Sequence, residues 1–123
     1  MAESNAALAH RGFTAALNGD VDTVAEMLDP EVRWHGGDPN ARGACRNRDD
    51  ALRVIRAAVA AGRIGELVEV HDAGDQVVVL LRPASGGLVA NLTTFRNGRA
   101  VEMVHYPNPD DALRAAGLQA RES

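Results

Sequence analysis

The second half of the chain alternates apolar extended runs with short turns, and this pattern limits the folds open to it. Between residues 64 and 106 the runs are rich in β-branched residues, and the turns AGD, PASGG and NG separate them. The four runs read IGELVEVHD, QVVVLLR, LVANLTTFR and RAVEMVHY. Asn97-Gly98 between two such runs is a strong signal for a two-residue hairpin. The simplest interpretation is four antiparallel strands in meander order.

In the first 30 residues, by contrast, the apolar residues recur at intervals of three and four, as they do on one face of a helix. Ser4 or Asn5 can cap a first helix, and Asn18-Gly19 ends it. Asp20 caps a shorter second helix, which the Asp29-Pro30 step ends because the residue before a proline is pushed out of helical geometry. The inward positions of these helices are Ala6, Ala9, Phe13, Ala16, Leu17, Val21, Val24 and Leu28. The opening is therefore predicted to be a helical hairpin.

A short strand and two more helices complete the predicted elements. The strand is VRWH at residues 32–35, ended by Gly36-Gly37, and its alternation sends Trp34 inward and His35 outward. A third helix begins after Asn47 and closes at Gly62, with Leu52, Ile55 and Val59 on one face. A last helix lies within residues 108–117, where an asparagine cap is followed by proline at the first helical position.

The order of these elements predicts one α+β domain over residues 1–123. Three N-terminal helices cover one face of a cone-shaped, strongly curved antiparallel sheet, and a short C-terminal helix closes the chain. A chain of this length buries roughly two thirds of its unfolded surface, which is enough for one core. Helices laid on a curved sheet leave a space between the layers, and we expect a pocket there.

The composition excludes several kinds of chemistry. All 13 basic residues are arginine, so a lysine Schiff base and pyridoxal chemistry are ruled out. Cys45 is the only cysteine, which excludes an intrachain disulfide and a thiolate-rich zinc site. His35, Asp38, His71 and His105 lie in separate segments without metal-ligand spacing. We therefore expect neither a metal nor a cofactor.

Charge and hydropathy limit the partners. The net charge is −4 and the arginines are spread along the chain, so no basic stripe is available for nucleic acid. The longest aliphatic run, residues 77–81, is far shorter than the roughly 20 residues that cross a membrane. The start MAESNAALAHRG lacks the basic and apolar regions of a secretory signal. A cytoplasmic protein without membrane or nucleic-acid partners is expected.

The chain resembles the nuclear transport factor two-like superfamily, in its SnoaL-like and ketosteroid-isomerase-like branch. Three stretches carry the resemblance over nearly the whole chain: AALAHRGFTAALNGDVDTVAEMLDPEVRW, CRNRDDALRVI and FRNGRAVEMVHYPNPDDAL. The resemblance implies the cone-shaped, cystatin-like fold, and it suggests isomerase or polyketide-cyclase chemistry without a cofactor. Because this fold also hosts non-catalytic domains, the resemblance alone implies no single activity.

The ketosteroid-isomerase pattern is only partly present. In those enzymes a first-helix tyrosine and a protonated strand aspartate hold the enolate oxygen, and a second aspartate moves the proton. The tyrosine position falls on Gly12 or Phe13, and neither can donate a hydrogen bond. The strand position falls on Asn91, whose amide can donate to an oxyanion. The proton-moving position falls on Gly36, or on Asp38 if the glycine pair is an insertion.

The last strand supplies the candidate base. Val101, Met103 and His105 share one face, and the resemblance implies that this face looks into the pocket. His105 then points inward near the mouth, where its imidazole can act as acid or base with Asp38 to orient it. Candidate substrate-binding residues are Trp34, Phe13, Met103 and Tyr106.

Each candidate also has a purely structural interpretation. His105 can be bonded to backbone at the end of its strand, and Asp38 can simply open a turn, as aspartate before proline often does. Asn91 can be satisfied by a backbone contact rather than by a ligand. Trp34 can be the largest core side chain, with or without a role in stacking.

Two functions therefore stay open. The first is a protein that binds a small, largely apolar molecule, with proton-transfer chemistry by His105 and Asp38 and an oxyanion donor in Asn91. The second is a non-catalytic module that uses the cavity or the outer sheet face to hold a ligand or partner. Residues 77–81 are apolar on both faces, so we expect the outer face to be covered, and relatives commonly pair there. This predicts a homodimer.

Overall fold

A computed structural model describes residues 4–62 and 65–119. Within these residues the chain forms four helices and five strands in an α+β arrangement. In chain order they are α1 Asn5–Leu17, α2 Val21–Met27, β1 Leu28–His35, α3 Arg48–Ala60, β2 Glu66–Ala73, β3 Gln76–Arg82, β4 Val89–Arg96, β5 Arg99–Tyr106 and α4 Pro109–Ala115. The fold predicted from the sequence is confirmed. The start of the first predicted long run, Ile64, lies outside the described residues.

The helices begin at the predicted caps. The Ser4 hydroxyl accepts a hydrogen bond from the amide of Ala7 at 3.1 Å, so Ser4 rather than Asn5 caps α1. Asn47 caps α3 by accepting from the amide of Asp50 at 2.9 Å. Each cap satisfies an amide that the first helical turn leaves without a partner. None of the described helices has the length and apolar character needed to cross a membrane.

The second helix is shorter than predicted, and the first strand is longer. The helix ends at Met27, and Leu28 begins β1, so the Asp29-Pro30 step lies within a strand instead of ending a helix. A strand tolerates this proline because β1 is at the edge of the sheet, where an unpaired backbone position needs no amide donor. The pairing with β5 also shifts register between Leu28 and Arg33.

The sheet has the order β1-β5-β4-β3-β2. Strands β2 to β5 form the predicted antiparallel meander. Asn97 and Gly98 have φ values of 54° and 78°, the left-handed backbone that a two-residue hairpin requires. Strand β1 joins β5 in parallel, so the sheet is mixed and open rather than purely antiparallel. This parallel pairing places Trp34 beside Met103.

The two faces of the sheet are covered by different helices. Helices α1 to α3 cover the inner face and enclose the larger core. Helix α4 packs on the outer face, where Leu113 is 1% exposed. Its partners there are Val78, Leu80, Ala90 and Leu92. The same chain thus buries both faces of β3, and the apolar character of residues 77–81 no longer requires a second subunit.

Candidate functional site

A cavity of about 240 Å³ lies between the inner face of the sheet and the three N-terminal helices. Its walls are almost entirely apolar. They comprise Gly12, Phe13, Ala16, Leu17, Val24, Met27, Leu28, Trp34, Val54, Ile55, Ala58, Val59, Gly65, Leu81, Pro83, Ala100 and Met103, with Asn91, Thr93 and His105 as polar members. A concave, apolar space with few polar groups is the usual form of a small-molecule site.

A hydrogen-bonded pair supplies the polar part of the sheet wall. Asn91 and Thr93 lie two residues apart on β4, so both side chains point inward, and they are 3% and 1% exposed. The Thr93 hydroxyl donates to Asn91 Oδ1 at 2.6 Å. This bond holds the amide with its oxygen occupied. The Nδ2 hydrogens are left for the cavity, since no other described residue accepts them.

His105 is the direct cross-strand neighbour of Asn91. The two residues pair in the β4–β5 register, and both line the cavity. Residues opposite each other on one face of an antiparallel pair have Cβ atoms roughly 4.5–5.5 Å apart. His105 lies near the end of β5 and is exposed, whereas Asn91 is buried. An imidazole at the mouth and an amide donor further in therefore face the same space.

Three of the four predicted substrate-binding residues lie on the cavity wall. Phe13 comes from α1, and Trp34 and Met103 come from the paired strands β1 and β5. The backbone of Trp34 also pairs with that of Cys45: the Trp34 amide donates to the Cys45 carbonyl at 3.0 Å, and the Cys45 amide donates to the Trp34 carbonyl at 2.8 Å. The indole is half-buried, so part of its surface stays accessible.

Two predicted site residues lie elsewhere. Asp38 is exposed, and its Oδ1 accepts a hydrogen bond from the backbone amide of Asn40 at 2.9 Å. The carboxylate therefore stabilises its own turn and does not lie across the cavity from His105. Tyr106 packs in the outer core beside α4. It follows His105 directly, and consecutive strand residues point to opposite faces. The geometry gives neither residue a place in the cavity.

His35 points away from the cavity as predicted, yet it is buried, at 8% exposure, rather than in solvent. Its Nδ1 accepts from the amide of Gly37 at 3.0 Å, so the ring hydrogen belongs on Nε2. Nε2 then donates to Glu102 Oε2 at 3.1 Å. Both ring nitrogens are engaged, and His35 serves to hold the end of β1 against β5.

Sequence reasoning overlooked Thr93 and the contact between Gly12 and Met27. Alternation along β4 would have found Thr93, because it lies two residues after Asn91. A Cβ atom at Gly12 would lie 2.0 Å from Met27 Sδ, so the methionine occupies the space that a side chain at this position would need. This contact joins two helices, and sequence spacing carries no signal for it.

Cys45 is buried, and burial raises the pKa of its thiol, as does the nearby carboxylate of Asp50. A raised pKa makes the nucleophilic thiolate scarce at neutral pH. Within the described residues, no three histidine, cysteine or carboxylate side chains lie close enough together to bind a metal ion.

The α+β fold, with three helices over an open five-stranded sheet and a cavity between them, defines a protein of the nuclear transport factor two-like, or cystatin-like, class. Within that class the chain belongs to the SnoaL-like domain family, whose model matches residues 9–105. No curated protein matches the chain in sequence.

Solved structures have the same fold. Bal32a, from a soil-derived mobile gene cassette, is 24% identical, covers 83% of this chain and 87% of its own, and gives a TM-score of 0.69. A putative polyketide cyclase from Sinorhizobium meliloti is 21% identical, with 80% and 92% coverage and a TM-score of 0.68. An uncharacterized cystatin-fold protein from Novosphingobium aromaticivorans is 16% identical, with 85% and 98% coverage and a TM-score of 0.70. At these identities the likeness concerns the fold.

Proposed function

We propose that this protein binds a small, largely apolar molecule in the cavity and that His105 and Asn91 catalyse a proton transfer on it. One observation carries the proposal: a buried amide donor and an imidazole are neighbours on adjacent strands in an otherwise apolar cavity. The volume of about 240 Å³ lies below the roughly 300–1,000 Å³ of pockets for drug-sized ligands, which favours a compact molecule. The similarity to a putative polyketide cyclase is consistent with this class of chemistry.

The proposed step needs no cofactor. His105 removes a proton from the carbon beside a ligand carbonyl, and the electrons of the C–H bond form an enolate. Asn91 Nδ2 donates a hydrogen bond to the enolate oxygen, and the Thr93 bond keeps the amide in the required orientation. In an isomerisation, the imidazolium then returns the proton to another carbon of the enolate system. In a cyclisation, the enolate carbon instead attacks a second carbonyl carbon of the ligand, the C–O π bond of that carbonyl breaks, and the imidazolium protonates the resulting alkoxide. Neither reaction involves net oxidation.

The experiment measures deuterium incorporation from D₂O into small cyclic ketones, such as cyclohexanone and tetralone, by NMR. The wild-type protein should accelerate exchange, and His105→Ala should remove the acceleration while leaving the folding transition unchanged. Asn91→Leu should lower the rate by about 10²–10³-fold, as losing one oxyanion donor does. His10→Ala, at an exposed histidine of α1, is the matched control and should exchange normally. Unchanged exchange in His105→Ala would remove His105 from the mechanism.

A non-catalytic binding module is the second candidate, and one observation favours it. Asp38 lies in its own turn, and no carboxylate among the described residues lines the cavity to orient His105. In that case the ketones bind without exchange. Binding is read from the fluorescence of Trp34, the only tryptophan of the chain. Bound ketone with no exchange above buffer would support the module and contradict catalysis.

The predicted homodimer and cytoplasmic location stay predictions. Helix α4 covers part of the outer face, so a partner would lie on the remaining surface of the sheet. A monomeric mass at micromolar concentration would contradict the dimer.

A further inference from the structure

A second depression adjoins the mouth of the cavity, and we call it the vestibule. Its volume is about 300 Å³, and it is lined by residues 34–36 at the end of β1, by residues 41–45 of the following loop, and by Val54 and His105. Trp34, Val54 and His105 line both spaces. A ligand with its body in the cavity would therefore reach the vestibule past the indole and the imidazole.

The charge of these two spaces differs from that of the whole protein. The chain carries 17 acidic residues and a net charge of −4, yet no described carboxylate lines either space. Arg42 lines the vestibule, and it is exposed. Among the described residues its guanidinium has neither an ion pair nor a hydrogen bond. Among the described residues, Arg42 is thus the one arginine, and there is no carboxylate, in the lining of the two spaces.

The other polar groups of the vestibule differ in availability. Both ring nitrogens of His35 are engaged, by Gly37 and by Glu102. The imidazole of His105 is bonded to no other described residue. Arg42 and His105 are therefore the side chains able to meet a polar group of the ligand. A guanidinium offers paired donors that match a carboxylate.

We propose that the ligand is a small amphipathic anion, with its apolar body in the cavity and a carboxylate or similar acidic group in the vestibule beside Arg42. This inference rests on the proposed function, because it assumes that the cavity binds a small molecule. It adds the chemical class of that molecule. A positive charge at the mouth also attracts anions that the negative charge of the whole chain would otherwise repel.

The experiment compares three probes of the same chain length: phenylbutanoate, its nearly isosteric primary amide, and phenylbutylamine, which carries the opposite charge. Binding is followed at low ionic strength by the fluorescence of Trp34, which lines both spaces. The carboxylate should bind about two- to five-fold more tightly than the amide, the range of solvent-exposed ion pairs. Added salt should reduce the preference, because it screens exposed charges.

Two variants localise the effect. Arg42→Gln should bring the affinity for the carboxylate down to that for the amide and leave the affinity for the amide unchanged. Arg46→Gln makes the same change in net charge at an exposed arginine of the same segment that lines neither space, and it should keep the preference.

The outcomes separate the two proposals. If neither the amide nor the carboxylate binds, the proposed binding function fails. If both bind with equal affinity, or if the amine binds more tightly, the cavity binds ligands but the inference of an anion is wrong. A preference that survives in Arg42→Gln would also overturn the inference, because Arg42 would not be its source.

Discussion

The hydrogen bond between Thr93 and Asn91 allows a sharp test of how the cavity wall is stabilised. Both side chains are buried, and the hydroxyl and the amide oxygen are 2.6 Å apart. Valine has nearly the shape of threonine, and leucine that of asparagine, so Thr93→Val and Asn91→Leu remove polar groups while changing volume little. The two single variants and the double variant form a thermodynamic cycle.

The expected free energies follow from burial. Thr93→Val leaves Asn91 Oδ1 without a donor, and an unsatisfied buried polar atom costs about 1–3 kcal/mol. Asn91→Leu leaves the Thr93 hydroxyl without its acceptor, with a loss at the lower end of that range because a hydroxyl can rotate. Replacing both partners removes both penalties, so the double variant should be close to wild type in stability. Its loss should therefore fall short of the sum of the two single losses by nearly that whole sum, about 2–4 kcal/mol.

The free energy of unfolding is measured in urea by circular dichroism and by the fluorescence of Trp34. Thr94→Val is the matched control, because Thr94 lies on the opposite face of β4 from Asn91 and Thr93. Its hydroxyl accepts a hydrogen bond from Gln76 Nε2 at 3.3 Å and makes none with Asn91. Its effect should add to that of Asn91→Leu. Additivity within about 0.5 kcal/mol for Thr93→Val and Asn91→Leu would refute the argument, because it would mean that the two groups do not depend on each other.

The same double variant separates stability from function. It should fold well and yet exchange ketones about 10²–10³-fold more slowly than the wild type, because the amide donor is gone. If the double variant keeps the stability of the wild type and loses exchange, the role of the polar pair lies in ligand chemistry rather than in holding the fold.

Two further predictions concern Gly12 and Cys45. Gly12→Ala gains about 0.5–1 kcal/mol from helix propensity, and the atoms that its Cβ would meet are the Sδ and Cε at the flexible end of Met27, which lines the cavity and can turn into it. Urea unfolding should therefore give a protein at least as stable as the wild type, and a clearly less stable variant would mean that Met27 cannot move aside. For Cys45, burial raises the pKa, so a thiol reagent should label native protein far more slowly than urea-unfolded protein. Because the unfolded thiol loses its proton first, the free energy of unfolding should fall as pH rises through the range where free thiols ionise. Labelling of the native protein as fast as that of the unfolded protein would contradict the burial of Cys45.

Much of the fold could be predicted because its signals are local. The helix caps at Ser4, Asp20 and Asn47 depend on residues three positions apart, and all three form as predicted. The Asn97-Gly98 turn depends on backbone preferences of those two residues alone. The error at Asp29-Pro30 is instructive, since proline disfavours a helix and a central strand but not an edge strand. Whether a strand is at an edge depends on the whole sheet.

For the candidate site too, some positions could be predicted from the sequence and others could not. Alternation along β5 puts Met103 and His105 on one face, and the family resemblance implied that this face and Asn91 of β4 look inward; all three residues line the cavity. The position of Asp38 depends on how the loop after Gly36-Gly37 folds, and that loop keeps the carboxylate in its own turn. Neither spacing nor residue type carries that information.

The sequence by itself determined the elements, the meander and the apolar character of the cavity, because these depend on periodicity and on neighbouring residues. Only the tertiary structure decided that β1 pairs in parallel with β5 and that α4 covers the outer face. It also decided that Asn91 and His105 meet across two strands, and that Arg42 lies by the mouth of a cavity without carboxylates. These are contacts between residues far apart in the chain, and their geometry follows from packing the whole domain around one sheet.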